Sequence, residues 1–341
     1  MRIQREVRKI VVATTLACGA MAASAQGVEL YGVADVGVAV TNFDGQTTTA
    51  VRENHTARWG LRGAEKLGGG WQAIFRLESE IDMGTGQTSS DGLFSRQAWV
   101  GLKSDTLGTM RIGRTKGLFD DLSEFVDPFN NDGIVGDFSK LAWRVGVAKS
   151  RVSNSITLEA PKFAGLEVKG QYSMDETPDL SGNPGWSVSA VWGWRDLTLM
   201  TAYDRPTLTK AGLQPEAWMV GATYQLGPVK LSAAYNEGDL KNATTTKPAN
   251  ELKGYTLGAN WEFGNNVVKG VFSRLNSNFG NVDDKIRDVS VVGLGYDYKM
   301  SRRTTLYVLG VYEDTGQYNS TTKKFVTGDT KGVQAGIWHR F

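Results

Sequence analysis

The sequence predicts an all-β protein, an antiparallel transmembrane β-barrel of about sixteen strands, on three observations. Apolar and polar residues alternate along many segments. Each segment has roughly 9–13 residues, the length a tilted strand needs to cross a bilayer. The connectors between segments are short and long in turn, as in barrels with tight periplasmic turns and long external loops.

The N-terminus comes first. Arg2, Arg5, Arg8 and Lys9 precede an apolar stretch from Ile10 to Ala22, and Ala23-Ser24-Ala25 follow. That is the layout of a secretory signal, residues 1–25, leaving residues 26–341 as the mature barrel. The apolar stretch falls short of the roughly 20 residues of a membrane anchor and has no stop-transfer flank. Cys18, the only cysteine, lies inside this signal. Lipoprotein modification at Cys18 is a minor alternative, weakened by Thr15 where a leucine is expected. The mature chain then has no disulfide, thiolate metal site or cysteine nucleophile. Losing residues 1–25 removes four basic residues and Glu6, so the formal charge falls from +2 to about −1. No net basic character remains to argue for nucleic acid. Against 8 prolines stand 41 glycines, a composition that suits many tight turns.

Along the chain, period two recurs. Leu166, Val168 and Tyr172 share one face, as do Trp186, Val188, Ala190, Trp192 and Trp194. The same holds for Trp218 to Leu226 and for Val229 to Tyr235. It holds again for Tyr255 to Phe263 and, on the last strand, for Val333 to Phe341. Such alternation puts one face in an apolar medium and the other in water. A soluble sandwich alternates too, so the connectors matter. Short ones include Leu67–Gly70, Lys162–Gly165, Arg195-Asp196, Gly227-Pro228, Gly264–Asn266 and Met300–Arg303. Between them fall the polar stretches 41–53, 83–93, 176–185, 238–250 and 315–329. Trp59, Trp71, Trp99, Trp186 and Trp194 near segment ends suit a girdle at the membrane–water boundary. Hydrocarbon cannot satisfy an open sheet edge, so the last strand must pair with the first. Strands near 267–275 and 304–313 are apolar on both faces, which fits either a subunit interface or a plugged wall.

Residues for conventional chemistry are missing. His55 and His339 belong to no metal-binding helix motif and no Ser-His-Asp set. Leu67–Trp71 is a hairpin turn, and Gly84-Thr-Gly-Gln-Thr lacks the lysine of a phosphate loop. Acidic external loops could bind divalent cations bridging lipopolysaccharide, but their spacing fits no defined calcium loop. No catalytic, cofactor-binding or metal residue is therefore assigned.

Particular stretches go further: Val28-Glu-Leu-Tyr-Gly-Val-Ala-Asp35, Ala57-Arg-Trp-Gly-Leu-Arg-Gly-Ala-Glu65 and Leu67-Gly-Gly-Gly-Trp71. To these add Ser95-Arg-Gln-Ala-Trp-Val-Gly-Leu102, Leu107-Gly-Thr-Met-Arg-Ile-Gly-Arg114 and the ending Gly336-Ile-Trp-His-Arg-Phe341. In them the chain resembles the trimeric general porins of Gram-negative bacteria, in their β-proteobacterial subgroup. The similarity is dense from 28 to 116 and again at the end; between these it rests on pattern.

The resemblance implies a 16-stranded barrel, a homotrimer, and a long third loop folded into the lumen, here about residues 115–150. It implies passive diffusion of ions and small hydrophilic solutes in the outer membrane, with lipid and lipopolysaccharide around the barrel. It also implies a terminal Phe341 read by the barrel-insertion machinery. Family members set basic wall residues against acidic loop residues, which narrows the pore and creates a transverse field. Inward parity offers Arg58, Arg62, Arg76 and Arg96 for the wall. The loop offers Asp120, Asp121, Glu124 and Asp127, the last preferred because it precedes a proline. Arginines on a watery face can equally be ordinary solvated residues; several opposite an acidic loop favour a constriction. Asp35 reads as an ordinary lumen residue, and Glu78 and Glu80 as braces for the arginines. A substrate-preferring channel would show an inward aromatic ladder, whereas the inward positions are mainly Gly, Ser, Thr and charges. An enzyme on a barrel would need a nucleophile and base at the rim, and an adhesin would be soluble without detergent.

Overall fold

In a computed structural model the protein is described over residues 27–43, 45–88, 92–135, 148–174, 184–207, 213–242, 248–279, 285–319 and 324–341. The expected signal, with Cys18, lies outside these residues, as do positions 136–147 of the long connector. The first strands are β1 (Glu29–Phe43), β2 (Gln46–Arg52), β3 (Arg58–Gly68), β4 (Trp71–Glu80), β5 (Gln97–Ser104) and β6 (Gly108–Lys116). A helix, α1 (Leu118–Val126), follows, then β7 (Arg151–Glu159), β8 (Leu166–Ser173), β9 (Gly185–Trp194), β10 (Leu197–Arg205) and β11 (Leu213–Leu226). The rest are β12 (Val229–Asn242), β13 (Pro248–Phe263), β14 (Asn266–Phe279), β15 (Lys285–Lys299), β16 (Thr304–Asn319) and β17 (Lys324–Arg340).

These segments form a closed barrel of sixteen antiparallel strands. β1 pairs with β17 along one edge, from Val33↔Arg340 to Phe43↔Thr330. Its other edge is shared: β3 takes the first half, Glu29↔Arg62 to Val33↔Arg58, and β2 the second, Gly37↔Arg52 to Phe43↔Gln46. β2 and β3 are thus one barrel strand interrupted at residues 53–57. The closure extends to the chain end, where Gly32 N donates to Phe341 O (3.1 Å) and Phe341 N to Gly32 O (3.2 Å). Two-residue links join β9–β10, β11–β12 and β13–β14. Gly227 and Gly264 open two of them with φ of 55° and 57°. A tight hairpin needs that left-handed backbone, and glycine takes it without a Cβ clash.

Alternation is expressed as two faces. On β11, Ala217 and Met219 are buried while Trp218, Val220, Tyr224 and Leu226 are exposed. Around the barrel Val188, Leu231, Leu257, Leu294, Val308 and Val333 are exposed in the same way. An apolar belt of that extent needs hydrocarbon against it. Among the described residues no helix is long and apolar enough to cross a membrane.

The inside is not uniform. On β14 and β16, Val271, Leu275, Tyr307, Leu309 and Val311 are buried with Phe119, Leu122, Val126, Phe129 and Val135. The two strands with apolar residues on both faces are therefore covered from within, in keeping with a plugged wall. Leu118, Phe119, Leu122 and Val126 fall on one face of α1 and are buried. Asp120 and Asp121 sit in its first turn, where carboxylates complement the helix dipole. The helix ends at Asp127 because the following proline disfavours helical backbone there. Lys230 Nζ donates to Phe125 O (3.0 Å) and Ser232 Oγ to Val126 O (2.6 Å), fixing the segment to β12. A Cβ on Gly258 would come within 2.7 Å of the Pro128 ring, so that approach requires glycine.

Candidate pore lining and constriction

Three arginines come together on the inner wall. Arg58 opens β3, Arg96 lies just before β5, and Arg151 opens β7. Arg96 stands close enough to repel both of the others. It is braced by Glu78 (2.8 Å) and Glu80 (3.3 Å), and Glu78 also accepts from Tyr31 OH (2.8 Å). The expected bracing role of the two glutamates is thus what the geometry displays. Arg58 donates to Thr56 O (3.0 Å) and, among the described residues, makes no ion pair.

The acids of α1 face Arg151 of this group and two lysines. Asp120 meets Arg151 at 3.1 Å and Lys116 at 3.9 Å. Asp121 meets Lys169 at 2.9 Å and Lys116 at 3.6 Å, and Glu124 meets Lys116 at 2.5 Å. Lys116 is therefore shared by three carboxylates. Burial pushes the Asp121 carboxyl up, but Lys116 and Lys169 outweigh it and hold it below its usual range. For Asp120 and Glu124 burial prevails and the pKa is raised.

Asp127 does not join these groups. Its oxygens accept from Phe129 N (2.9 Å) and Asn131 N (2.7 Å), so it fastens the turn after α1. Burial pushes it up to about 6 despite those bonds. Beyond the turn, Asp132 accepts from Thr56 N (3.2 Å) and Thr56 Oγ1 (2.8 Å), at the break between β2 and β3. The segment thus leaves β6, crosses the inner face against β12, and returns to the wall at the break between β2 and β3. Asp35 is a buried anchor beside that landing point, accepting from His55 N and Tyr307 OH at 2.7 Å each. The half-buried His55 ring meets the Trp338 edge at 5.7 Å, and its desolvation pushes the pKa down to about 3. His339, next in the strand after Trp338, is exposed and bonds to Thr304 Oγ1 (2.9 Å).

Toward the short-turn end lies a cavity of about 860 Å³. Seven basic side chains line it against three acidic ones. Arg62 and Arg76 belong here rather than with Arg58 and Arg96. Arg62 pairs with the exposed Glu29 at 2.6 Å. Arg76 lies over Tyr31 (5.6 Å) and Trp99 (5.9 Å), and Arg111 lies over Trp99 (5.4 Å) while pairing with Glu159 (2.8 Å). Trp99, expected at the membrane rim, is thus a lumen residue. Its register partner Arg76 is inward, and its parity follows.

Residues 10–317 match the family model described as Gram-negative porin. The chain belongs to that family. An outer membrane porin protein of Bordetella pertussis is 27% identical over 98% of this chain and 100% of its own length. Outer membrane porin protein 32 of Delftia acidovorans is 27% identical over 98% of this chain and 99% of its own. Among solved structures, the anion-selective porin from Comamonas acidovorans superimposes with a TM-score of 0.75 and 26% identity. That alignment covers 92% of this chain and 99% of the other. OmpT of Vibrio cholerae, in a trimer form, shares the fold at a TM-score of 0.68 and 15% identity, over 92% and 99% of the two chains.

Several cations of this porin's lumen escaped the sequence reading, among them Lys66, Lys103, Arg111, Lys116, Arg151 and Lys169. Arg111 and Lys169 were within reach of it: Thr109, Arg111 and Gly113 alternate with Met110 and Ile112, and Glu167, Lys169 and Gln171 with Leu166, Val168 and Gly170. Lys116 and Arg151 fall at the edges of the long connector, where parity gives no guidance.

Proposed function

We propose that this outer-membrane diffusion porin is narrowest between Arg58, Arg96 and Arg151 and the carboxylates of α1, and that it favours anions. The observation that carries the selectivity is the imbalance of the lining, seven basic groups to three acidic. The acids of α1 add little negative field, because Lys116, Lys169 and Arg151 already face them. Likeness to an anion-selective porin supports the same sign. We further propose cleavage after residue 25, a homotrimer surrounded by outer-membrane lipid and lipopolysaccharide, and Phe341 as the signal for insertion.

The test is the reversal potential of the mature protein in planar bilayers under a salt gradient. Chloride preference is expected, with conductance steps in groups of three. Arg58→Gln removes the cation that, of these three arginines and among the described residues, is in no ion pair, and should move the potential toward cations by an amount equal to a several-fold drop in permeability ratio. A wild-type preference for cations would overturn the selectivity reading.

A further inference from the structure

Among the cations of the vestibule, Arg62, Arg111, Lys116 and Lys169 each face a carboxylate. Arg76 and Lys103 do not, among the described residues. Arg76 is held instead between two aromatic rings, Tyr31 and Trp99, and its Nε is buried with no acceptor. A guanidinium fixed by π faces keeps its charge and N–H groups available, whereas one fixed by carboxylates is neutralised. Arg76 is thereby positioned but unsatisfied, the opposite of Arg96.

Lys103 is exposed on the inner face of β5, directly opposite Gln72 of β4. Gln72, Ile74 and Arg76 share that face, so the two cations are separated by roughly 13 Å along the strands. Two long side chains can bracket an anion between those points. The surrounding lining is polar: Gln72, Gln97, Thr109 and Thr157 add neutral hydrogen-bonding groups. The faces of Tyr31 and Trp99 are engaged by arginines, which leaves neither of these rings free to stack on a ligand.

We infer that Arg76 and Lys103 form a second anion station, on the periplasmic side of the constriction, for small multivalent oxyanions of the phosphate type. The planar fork of Arg76 matches tetrahedral oxyanions better than it does chloride. A weak site here holds an anion that has left the constriction and releases it to the periplasm, as conduction through successive sites requires. The inference rests on the reading that the vestibule lies on the conducting path.

The test is block of chloride current by inorganic phosphate in single-channel recordings, with phosphate added to one side at a time. Saturable block is expected from the periplasmic side with weak voltage dependence, because that path avoids the constriction. Arg76→Gln should raise the half-blocking concentration about tenfold, and Lys103→Gln a few-fold. Arg76→Lys, which keeps charge but loses the fork, should fall between wild type and Arg76→Gln. Folding is checked by the mobility of the unheated barrel on a gel. Half-block that responds to Arg58→Gln but to neither vestibule variant would overturn the station and leave the constriction as the anion site. Absence of saturable block in the wild type would overturn it as well. The reversal potential recorded in the same membranes tests the selectivity reading separately. Cation preference with phosphate block at Arg76 would sink that reading and leave the station standing.

Discussion

Two stretches of the same barrel wall obey the same alternation and end in opposite surroundings. From β3 to β8 the inward residues are Arg62, Arg76, Arg111 and Lys169, bordering an open cavity. From β10 to β16 they include Met200, Met219, Leu275, Val291 and Leu309, buried under α1 and the turn after it. Period two decides which side chains point inside a barrel; it does not decide what fills the inside. A sixteen-stranded barrel is too wide for its own side chains to close. An inserted segment can build a hydrophobic core on one half of the circumference and leave water to the other. The basic wall is therefore the one left to water.

The sharpest way to break this contrast is to remove a large side chain from the apolar half. Phe129 is fully buried, lies under Lys269 Nζ at 5.2 Å, and would clash with a Cβ at Gly295. Phe129→Ala should cost about 3–5 kcal/mol, drawn from docking of the inserted segment, since the barrel's own strand pairing is untouched. The expected result is a larger, noisier conductance and weaker ion selectivity, with an intact barrel on unheated gels. Conductance equal to wild type would mean that the segment does not limit the passage.

How far the sequence reaches differs between the two halves. Parity alone placed Arg58, Arg76 and Arg96 inside and assigned the outward faces of β9, β11, β12 and β13. It could not separate Arg76 from Arg96, because the depth at which an inward residue sits depends on register, and register appears only when strands are paired. The apolar half was visible as an anomaly at 267–275 and 304–313. Its covering was written in Leu118, Phe119, Leu122 and Val126, a helical spacing within a stretch read mainly for its acids. The preference for Asp127 failed to anticipate its placement for a similar reason: Pro128 does fix the turn, but it directs the carboxylate onto backbone N–H groups and away from the arginines.

Asp127 gives the next largest effect, through pH. Its carboxyl titrates near 6 in the folded protein against 3.8 as the ordinary value. Between those values the folded state holds the proton more tightly than the unfolded one. Stability of the docked segment therefore rises as pH falls from about 6 toward 4, by up to roughly 1.4 kcal/mol for each unit separating the two pKa values. Asp120 and Glu124, also raised by burial, act in the same direction; Asp121, held down by Lys116 and Lys169, opposes only at lower pH. Acidification from pH 7 to 5 should thus protect residues 118–135 further against amide exchange, and Asp127→Asn should flatten that dependence. Loosening on acidification would mean that the ion pairs around Lys116, not burial, govern the docking.

The smallest effect is expected at Arg62, and it separates the vestibule from the constriction. Arg62 and Glu29 are 44% and 57% exposed, against 13% and 5% for Arg96 and Glu78. A solvated pair near the short-turn end is screened by salt and contributes little to stability. Glu29 also offsets the charge of Arg62 at 2.6 Å, so an ion passing nearby meets almost no net field. Arg62→Gln should leave thermal unfolding unchanged and shift the reversal potential much less than Arg58→Gln in the same salt gradient. If the two variants shift it equally, selectivity is set along the whole basic wall from β3 to β8, and the arginine group at the loop is only its narrowest part.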